Sequence, residues 1–193
     1  ITYAKGASVL KQLQAYVGRE NFLAGVRRHF AAHAWGNATF DDLLRHLEEA
    51  SGRDLSFWAQ QWLKTTGINT LAVATEANDD GTITQAQLAQ RGDTLRTHRI
   101  AVGLYGTQDG KVVRTERLEM DVEGEATEIP ELVGRNLNDI DFILPNDDDL
   151  TYCLIDLDAG SLQFLLDNIE KFDDPMARTL CWSTAWEMTR AGT

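Results

Sequence analysis

At Gly67 the spacing of apolar residues in this chain changes from about 3.6 to 2, and from Ser161 it returns to the helical spacing. A helix buries a stripe that repeats at three and four residues, whereas a strand buries every second side chain. One segment cannot serve both patterns. The chain is therefore expected to form helices over its first third, strands over its middle and helices again at its end.

In the first third, Val9, Leu10, Leu13, Tyr16 and Val17 make one stripe, and Gly18 ends it. A second helix is predicted from Glu20 to Ala34, where Gly36-Asn37 breaks the pattern. Thr39 reads as an N-cap for Phe40 to Ala50, with Asp41 and Asp42 in the first turn, where carboxylates favour the helix dipole. Ser51-Gly52 closes that helix, and DLSFWAQQWL carries Trp58 and Trp62 on one face of a fourth.

After Gly67, LAVATEA and TITQAQL flank NDDG and read as a hairpin. HRIAVGLYG and KVVRTERLEMDV flank TQDG and read as a second. DFIL and LTYCLIDLD supply further strands, so the middle is expected to be a β-sandwich. SLQFLLDNI is then helical, and a last helix starts at Pro175, capped by Asp173 or Asp174. About 30 residues follow the sandwich, too few for a core of their own. With Ile1 opening straight onto a helix, the expectation is an excerpt of a longer protein.

Of the 193 residues, 43% are hydrophobic and 25% charged, which is the balance of a globular protein. No apolar run approaches the roughly 20 residues of a membrane span. The net charge of −12 is unevenly placed: residues 1–66 carry 8 Lys+Arg against 6 Asp+Glu, and residues 67–193 carry 10 against 24. That surface argues against nucleic acid as a partner. Cys153 and Cys181 make no disulfide framework and read as buried thiols in a reducing compartment, with the cytoplasm as the expected location.

Residues 29–33 read HFAAH, two histidines at the spacing by which a helix holds zinc on one face. A peptidase zinc site also needs a third ligand and a carboxylate base, and Phe30 stands where that base would be. Glu48 and Glu49 belong to the exposed side of the next helix. His29 and His33 are therefore expected to be packed, hydrogen-bonded structural histidines. His98 has no nucleophile elbow to serve, and Cys153 has no basic neighbour in sequence. Asn146-Asp147-Asp148-Asp149 lacks the spacing of a calcium loop and is expected to be a solvated turn. Read on its own, Tyr3 is a tyrosine at the start of a helix that packs or hydrogen-bonds locally.

ITYAKGASVLKQL resembles the Tyr-x-Lys-Gly-x-x-Val-Leu segment of zinc aminopeptidases of the aminopeptidase N family, and the bacterial type in particular. The likeness continues through VGRENFLAGVRRHFAAHAWGNATFDDLLRHLEEASGRDLSFWAQQWL, with Phe22, His33, Asp42-Leu43, Ser51-Gly52 and Trp62. LPNDDDLTYCLIDLD is similar to the Leu-Pro-Asn segment that ends the family's sandwich, and Asp174-Pro175, Arg178 and Trp182 to the start of its C-terminal helices. The likeness is weakest across residues 72–130. Ala4 departs from a frequent glutamate, and Thr65-Thr66-Gly67-Ile68-Asn69 from a Gln-Pro-Gly-aromatic-Pro stretch.

The resemblance implies an α+β multidomain arrangement: residues 1–66 as the helical end of a thermolysin-like catalytic domain, 67–158 as a β-sandwich, and 159–193 as the first helices of an α-helical domain. It implies removal of N-terminal residues from peptide substrates with one zinc, held by HExxH and a downstream glutamate. Neither those ligands nor the family's Gly-Ala-Met-Glu-Asn-type motif occurs in these residues. The sandwich favours an aminopeptidase over the related epoxide hydrolase–aminopeptidases, which lack it. The catalytic residue carried over is Tyr3, as a hydrogen-bond donor to the oxyanion formed at the substrate carbonyl. No metal ligand and no cofactor contact is carried over. The alternative is a non-catalytic scaffold or interaction module built on the same helices and sandwich.

Overall fold

The structure is a computed structural model that describes residues 2–192, and the chain divides into two compact units, 1–66 and 67–193. Among the described residues, no helix is long and apolar enough to cross a membrane.

The first unit is four helices: α1 (Thr2–Val17), α2 (Arg19–Ala32), α3 (Phe40–Ser51) and α4 (Ser56–Leu63). Gly18, at φ 82°, makes the tight corner between α1 and α2 that a residue with a Cβ would strain to adopt. The second helix ends at Ala32, two residues earlier than its apolar pattern suggested, so His33 occupies its C-cap. Thr39 caps α3 as expected, and the cap is reciprocal: Thr39 Oγ1 accepts from the Asp42 amide, while Asp42 Oδ2 accepts from the Thr39 amide at 2.9 Å. The core is Val9, Leu13, Val17, Leu44, Leu47, Leu55, Trp58 and Trp62. Trp58 donates its indole N–H to Gln12 Oε1 at 2.5 Å, so the buried ring keeps a polar partner.

The second unit is a sandwich with helices on one side. Strands β1 (Asn69–Ala77), β2 (Ile83–Arg91), β5 (Ala126–Glu128) and β7 (Cys153–Ile155) form a sheet in the order β5-β2-β1-β7. Strands β3 (His98–Gln108), β4 (Lys111–Val122) and β6 (Phe142–Asp147) form a second in the order β4-β3-β6. Both expected hairpins are present, β1–β2 and β3–β4, each antiparallel. Leu71, Ile83 and Leu88 of one sheet meet Ile100, Val102 and Leu104 of the other in a single core. Helices α5 (Ala159–Asn168) and α6 (Pro175–Ala191) cover the outer face of the second sheet. Leu165, Phe172, Ala177, Cys181 and Met188 there share a core with Tyr105, Val112, Phe142 and Leu144. Asp174 caps α6 with Pro175 in its first turn.

Strand β3 thus runs between two cores, and its residues from Ile100 to Tyr105 are all buried. Burial on both faces explains the polar groups it must satisfy. His98 is fully enclosed, its Nδ1 at 2.8 Å from Thr151 Oγ1 and its Nε2 at 3.0 Å from Gln90 Oε1. Burial, with the Arg96 guanidinium nearby, pushes this imidazole from an ordinary 6.5 down to about 3.

The acidic run that ends β6 is not wholly the solvated turn expected from its composition. Asn146 and Asp147 are buried, and Asn146 is a bulge residue at φ 55°. Its amide closes the turn on itself, accepting from the Thr151 N–H and donating to the Thr151 carbonyl, each at 3.0 Å. Asp147 accepts from the Tyr105 hydroxyl at 2.9 Å and from Arg114 Nη1 at 2.7 Å. Asp148 accepts from Arg114 at 2.8 Å and from Arg117 at 2.6 Å. Burial alone would raise the Asp148 carboxyl, but these two arginines bring it below the usual range. Composition suggested solvation because the two arginines lie on a strand some thirty residues away. Room for Asp147 comes from Gly103, where an added Cβ would lie 2.4 Å from Asp147 Oδ2.

Two outcomes are expected. In the unfolded chain His98 takes up a proton near pH 6.5 that the native fold refuses until about 3, so its contribution to stability is present above 6.5 and lost as pH falls through that window. The slope approaches about 1.4 kcal/mol per pH unit. Urea unfolding of His98→Gln at several pH values should give a flatter curve than the parent protein over that range, and an equally steep curve would assign the effect elsewhere. Gly103→Ala should lower stability by about 1–3 kcal/mol through overpacking, and Arg114→Ala by about 3 kcal/mol by leaving Asp147 buried without its cation. Unchanged urea midpoints would contradict both.

Candidate functional site

Tyr3, the residue singled out for catalysis, lies in the first turn of α1 and is 93% exposed. The other tyrosine of this unit, Tyr16, lies under the Arg53 guanidinium, 4.4 Å from its ring centre. An open groove of about 530 Å³ in this unit is lined by Lys5, Gly6, Val9, Leu10, Phe40 and Trp62, and Tyr3 is not part of its lining. Its walls are mostly apolar, and Lys5 and Gly6 are the residues that follow Tyr3 in the Tyr-x-Lys-Gly segment. A depression of about 560 Å³ in the second unit, bordered by Val73, Ile140, Phe142 and Asp156, gathers no histidine, cysteine or basic residue. Its polar groups include the carboxylates of Asp141, Asp156 and Asp158 and the Ser161 hydroxyl, and Asp158 and Ser161 are engaged with each other at the start of α5.

The histidines are arranged differently from the expectation. Gly25, His29 and His33 follow one another at four-residue steps and so lie along one side of α2. At Gly25 an added Cβ would stand 2.7 Å from Leu47 Cδ2 and 2.9 Å from the His46 carbonyl oxygen, so α2 and α3 touch almost backbone to backbone. One and two turns further on, His29 and His33 meet His46 of α3. The ring centres are 5.0 Å apart for His29 and His33, 5.8 Å for His29 and His46, and 5.9 Å for His33 and His46. One imidazole nitrogen from each lies within 4.8 Å of one from each of the others.

These rings are packed, as expected, but they are not hydrogen-bonded as expected. His29 Nδ1, His33 Nε2 and both nitrogens of His46 are buried with no hydrogen-bond partner in the protein. A buried polar atom left unpaired costs on the order of 1–3 kcal/mol, so four in one place is a concentrated cost. Two carboxylates stand at the edges of the cluster. Glu49 Oε2 comes to 3.4 Å from His46 Nδ1, without hydrogen-bond alignment. Asp42 sits on the other side, its carboxyl held down at about 2, chiefly by the Thr39 amide and hydroxyl and in small part by His33. Glu48 is not free on the surface: its Oε1 accepts from the Leu55 amide at 2.8 Å and fastens the α3–α4 loop.

The sequence pattern identified His29 and His33 but not His46, which lies thirteen residues beyond on another helix. The readable signal was Gly25 on the histidine stripe, since a glycine inside a helix marks a close approach. Cys153 and Cys181 are free thiols, Cys181 buried and Cys153 half-buried. Burial raises both, Cys181 to about 12, so neither is poised as a nucleophile.

Residues 1–62 match the Peptidase family M1 domain, and residues 142–193 match the ERAP1-like C-terminal domain. Aminopeptidase N of Streptomyces lividans is 48% identical over 201 aligned residues, which take in 98% of this chain and 23% of that protein. Tricorn protease-interacting factor F2 of Thermoplasma volcanium is 34% identical over 115 residues, 58% of this chain and 14% of its own length. The crystal structure of Legionella pneumophila aminopeptidase A in complex with aspartic acid superposes with a TM-score of 0.67 at 19% identity, over 93% of this chain and 20% of that one. That likeness is one of fold. The chain spans under a quarter of the length of each of these proteins.

The close approach of α2 and α3 has a measurable consequence. Gly25→Ala should lower the stability of the first unit by about 1–3 kcal/mol, because the neighbour it meets is backbone as well as the Leu47 side chain. Denaturant unfolding followed by tryptophan fluorescence, with Trp58 buried in that unit, checks it. A variant as stable as the parent would show that the helices can part without cost.

Proposed function

The chain belongs to the M1 peptidase family, and from that premise we propose that it is the segment of a zinc aminopeptidase that supplies the Tyr3 phenol to the hydrolysis of peptides at their N-terminus. When water adds to a peptide carbonyl, the carbonyl oxygen gathers negative charge. A neutral phenol aimed at that oxygen donates a hydrogen bond that strengthens as the charge develops. The observation that carries the reading is the placement of Tyr3: inside the segment that matches the family domain, at the start of α1, and 93% exposed rather than held in this unit's own core.

The family implies zinc in the full enzyme, but the residues of this chain do not fit the peptidase metal. HFAAH has Phe30, 70% exposed, where HExxH has its carboxylate. A phenyl ring neither binds the ion nor takes a proton from water. We therefore assign that metal to residues other than these and expect the 193-residue chain to be inert by itself. In the same reading, residues 67–158 are the enzyme's sandwich and 159–193 the start of its C-terminal helices, and the protein works in a reducing compartment where Cys153 and Cys181 stay as thiols.

In the full-length enzyme Tyr3→Phe should lower kcat by about 10²–10³-fold and leave KM little changed, because the hydrogen bond it removes belongs to the transition state. Steady-state hydrolysis of an aminoacyl p-nitroanilide measures both constants. An unchanged kcat would refute the role of Tyr3. Aminopeptidase activity from the 193-residue chain alone would refute the assignment of the metal elsewhere. A full-length protein without HExxH and without activity would establish the scaffold instead.

A further inference from the structure

His29, His33 and His46 form a cluster that the Tyr3 chemistry does not use and whose unpartnered nitrogens the packing of the helices does not explain. We propose that these three side chains are the ligands of a transition-metal ion of the zinc class, held between the end of α2 and the middle of α3. This inference does not depend on the peptidase reading, since every residue in it lies within the first unit.

Three observations converge. The first is proximity: one ring nitrogen from each histidine lies within 4.8 Å of those of the other two. Zinc–nitrogen bonds of about 2.0–2.1 Å in a tetrahedron put ligand nitrogens about 3.3 Å apart. The rings need to close by at most about 1.5 Å, a movement that side-chain rotation supplies without shifting a helix. The second is the state of the nitrogens. His29 Nδ1, His33 Nε2 and both His46 nitrogens are buried and unpartnered within the protein. Rings that served only as packing would leave those lone pairs and N–H groups without compensation, whereas a shared cation takes one lone pair from each.

The third observation is that the helices are held where the site needs them. Gly25 brings α2 against α3 one turn before His29, and the Thr39–Asp42 capping box fixes the first turn of α3 one turn before His46. Glu49 Oε2, at 3.4 Å from His46 Nδ1, stands where a carboxylate can orient a ligand imidazole and leave its Nε2 for the metal. Neutral imidazoles select zinc, nickel or copper over magnesium and calcium, whose preferred donors are oxygens. Three nitrogens leave the fourth position of a tetrahedral ion for water. The ion would act as a clip across the α2–α3 pair and stabilise the unit that carries Tyr3 by binding only its folded form.

Zinc titration of the 193-residue chain by calorimetry tests the proposal, with imidazole NMR on the same sample. The expected result is one equivalent bound, a higher Tm, and shifted signals from His29, His33 and His46 while His98, locked to Thr151 and Gln90, stays in place. His33→Ala should weaken binding by about 10–100-fold or more and abolish the rise in Tm. His33 is half-buried at a helix end, so this variant tests the site even if His46→Gln fails to fold, and circular dichroism confirms its helices. Absence of binding at millimolar zinc would overturn the proposal. So would binding that His29→Ala and His33→Ala leave intact, or an equal response to magnesium, which would place the ion on the acidic surface.

Discussion

Among the described residues, the buried glycines Gly25 and Gly103 leave no room for a Cβ, and each sits where a polar group meets a tight contact within its unit. At Gly25 the missing atom lets α2 approach α3 until the next contact is the backbone of His46 and Leu47. At Gly103 it lets a carboxylate lie against the central strand of the sandwich. In each case the close approach is what makes a polar arrangement possible inside an otherwise apolar contact. The helices could pack through larger side chains, but they would then stand further apart and His46 would lie out of reach of His29 and His33. The strand could carry a valine, but Asp147 would then have no place beside Tyr105.

The second unit shows why such a carboxylate is retained. Strand β3 is covered by the other sheet on one face and by α5 and α6 on the other, so polar atoms near it lose water whichever way they point. Each finds a defined partner. Asn146 closes its own turn on Thr151, Thr151 meets His98, and His98 meets Gln90, which in turn receives the Arg96 amide at 2.9 Å. On the helical side, Asp147 and Asp148 receive Arg114 and Arg117. Breaking one such link leaves the other partner buried and unpaired, which costs more than the link itself contributes. The turn that follows Asn146 is therefore joined to β3 and, through Gln90, to β2 on one side, and to Arg114 and Arg117 of β4 on the other.

This contrast marks what the sequence makes legible. Period-two and period-3.6 patterns are local, and so are caps: Thr39 with Asp42, Asp174 with Pro175, and the two hairpins are all readable from neighbours in the chain. Asp147 was misread because the residues that make its burial tolerable, Arg114 and Tyr105, lie 33 and 42 positions away. Composition then says only that acidic residues favour water. His29 and His33 were expected to be satisfied for the same reason: a helix places them side by side, but nothing local reveals that their nitrogens find no partner. Family likeness offers a reading that pattern cannot, and Tyr3 is the example. Its local sequence suggests a packed tyrosine, while its exposure suits a group that acts on something other than its own helices.

The two histidines at HFAAH also show how little the spacing of a metal motif determines. A four-residue step puts any two histidines on one side of a helix, and the chemistry is decided by what stands beside them. In HExxH a glutamate next to the first histidine supplies the base, and a peptidase results. Here that place is Phe30, exposed to solvent, and the group that joins the pair is a third imidazole from the neighbouring helix. Three imidazoles can hold an ion, and the carboxylate nearest them, Glu49, comes to His46 Nδ1 from the same helix instead of standing next to the first histidine as in HExxH. The arrangement joins two helices, whereas the HExxH pair lies on one.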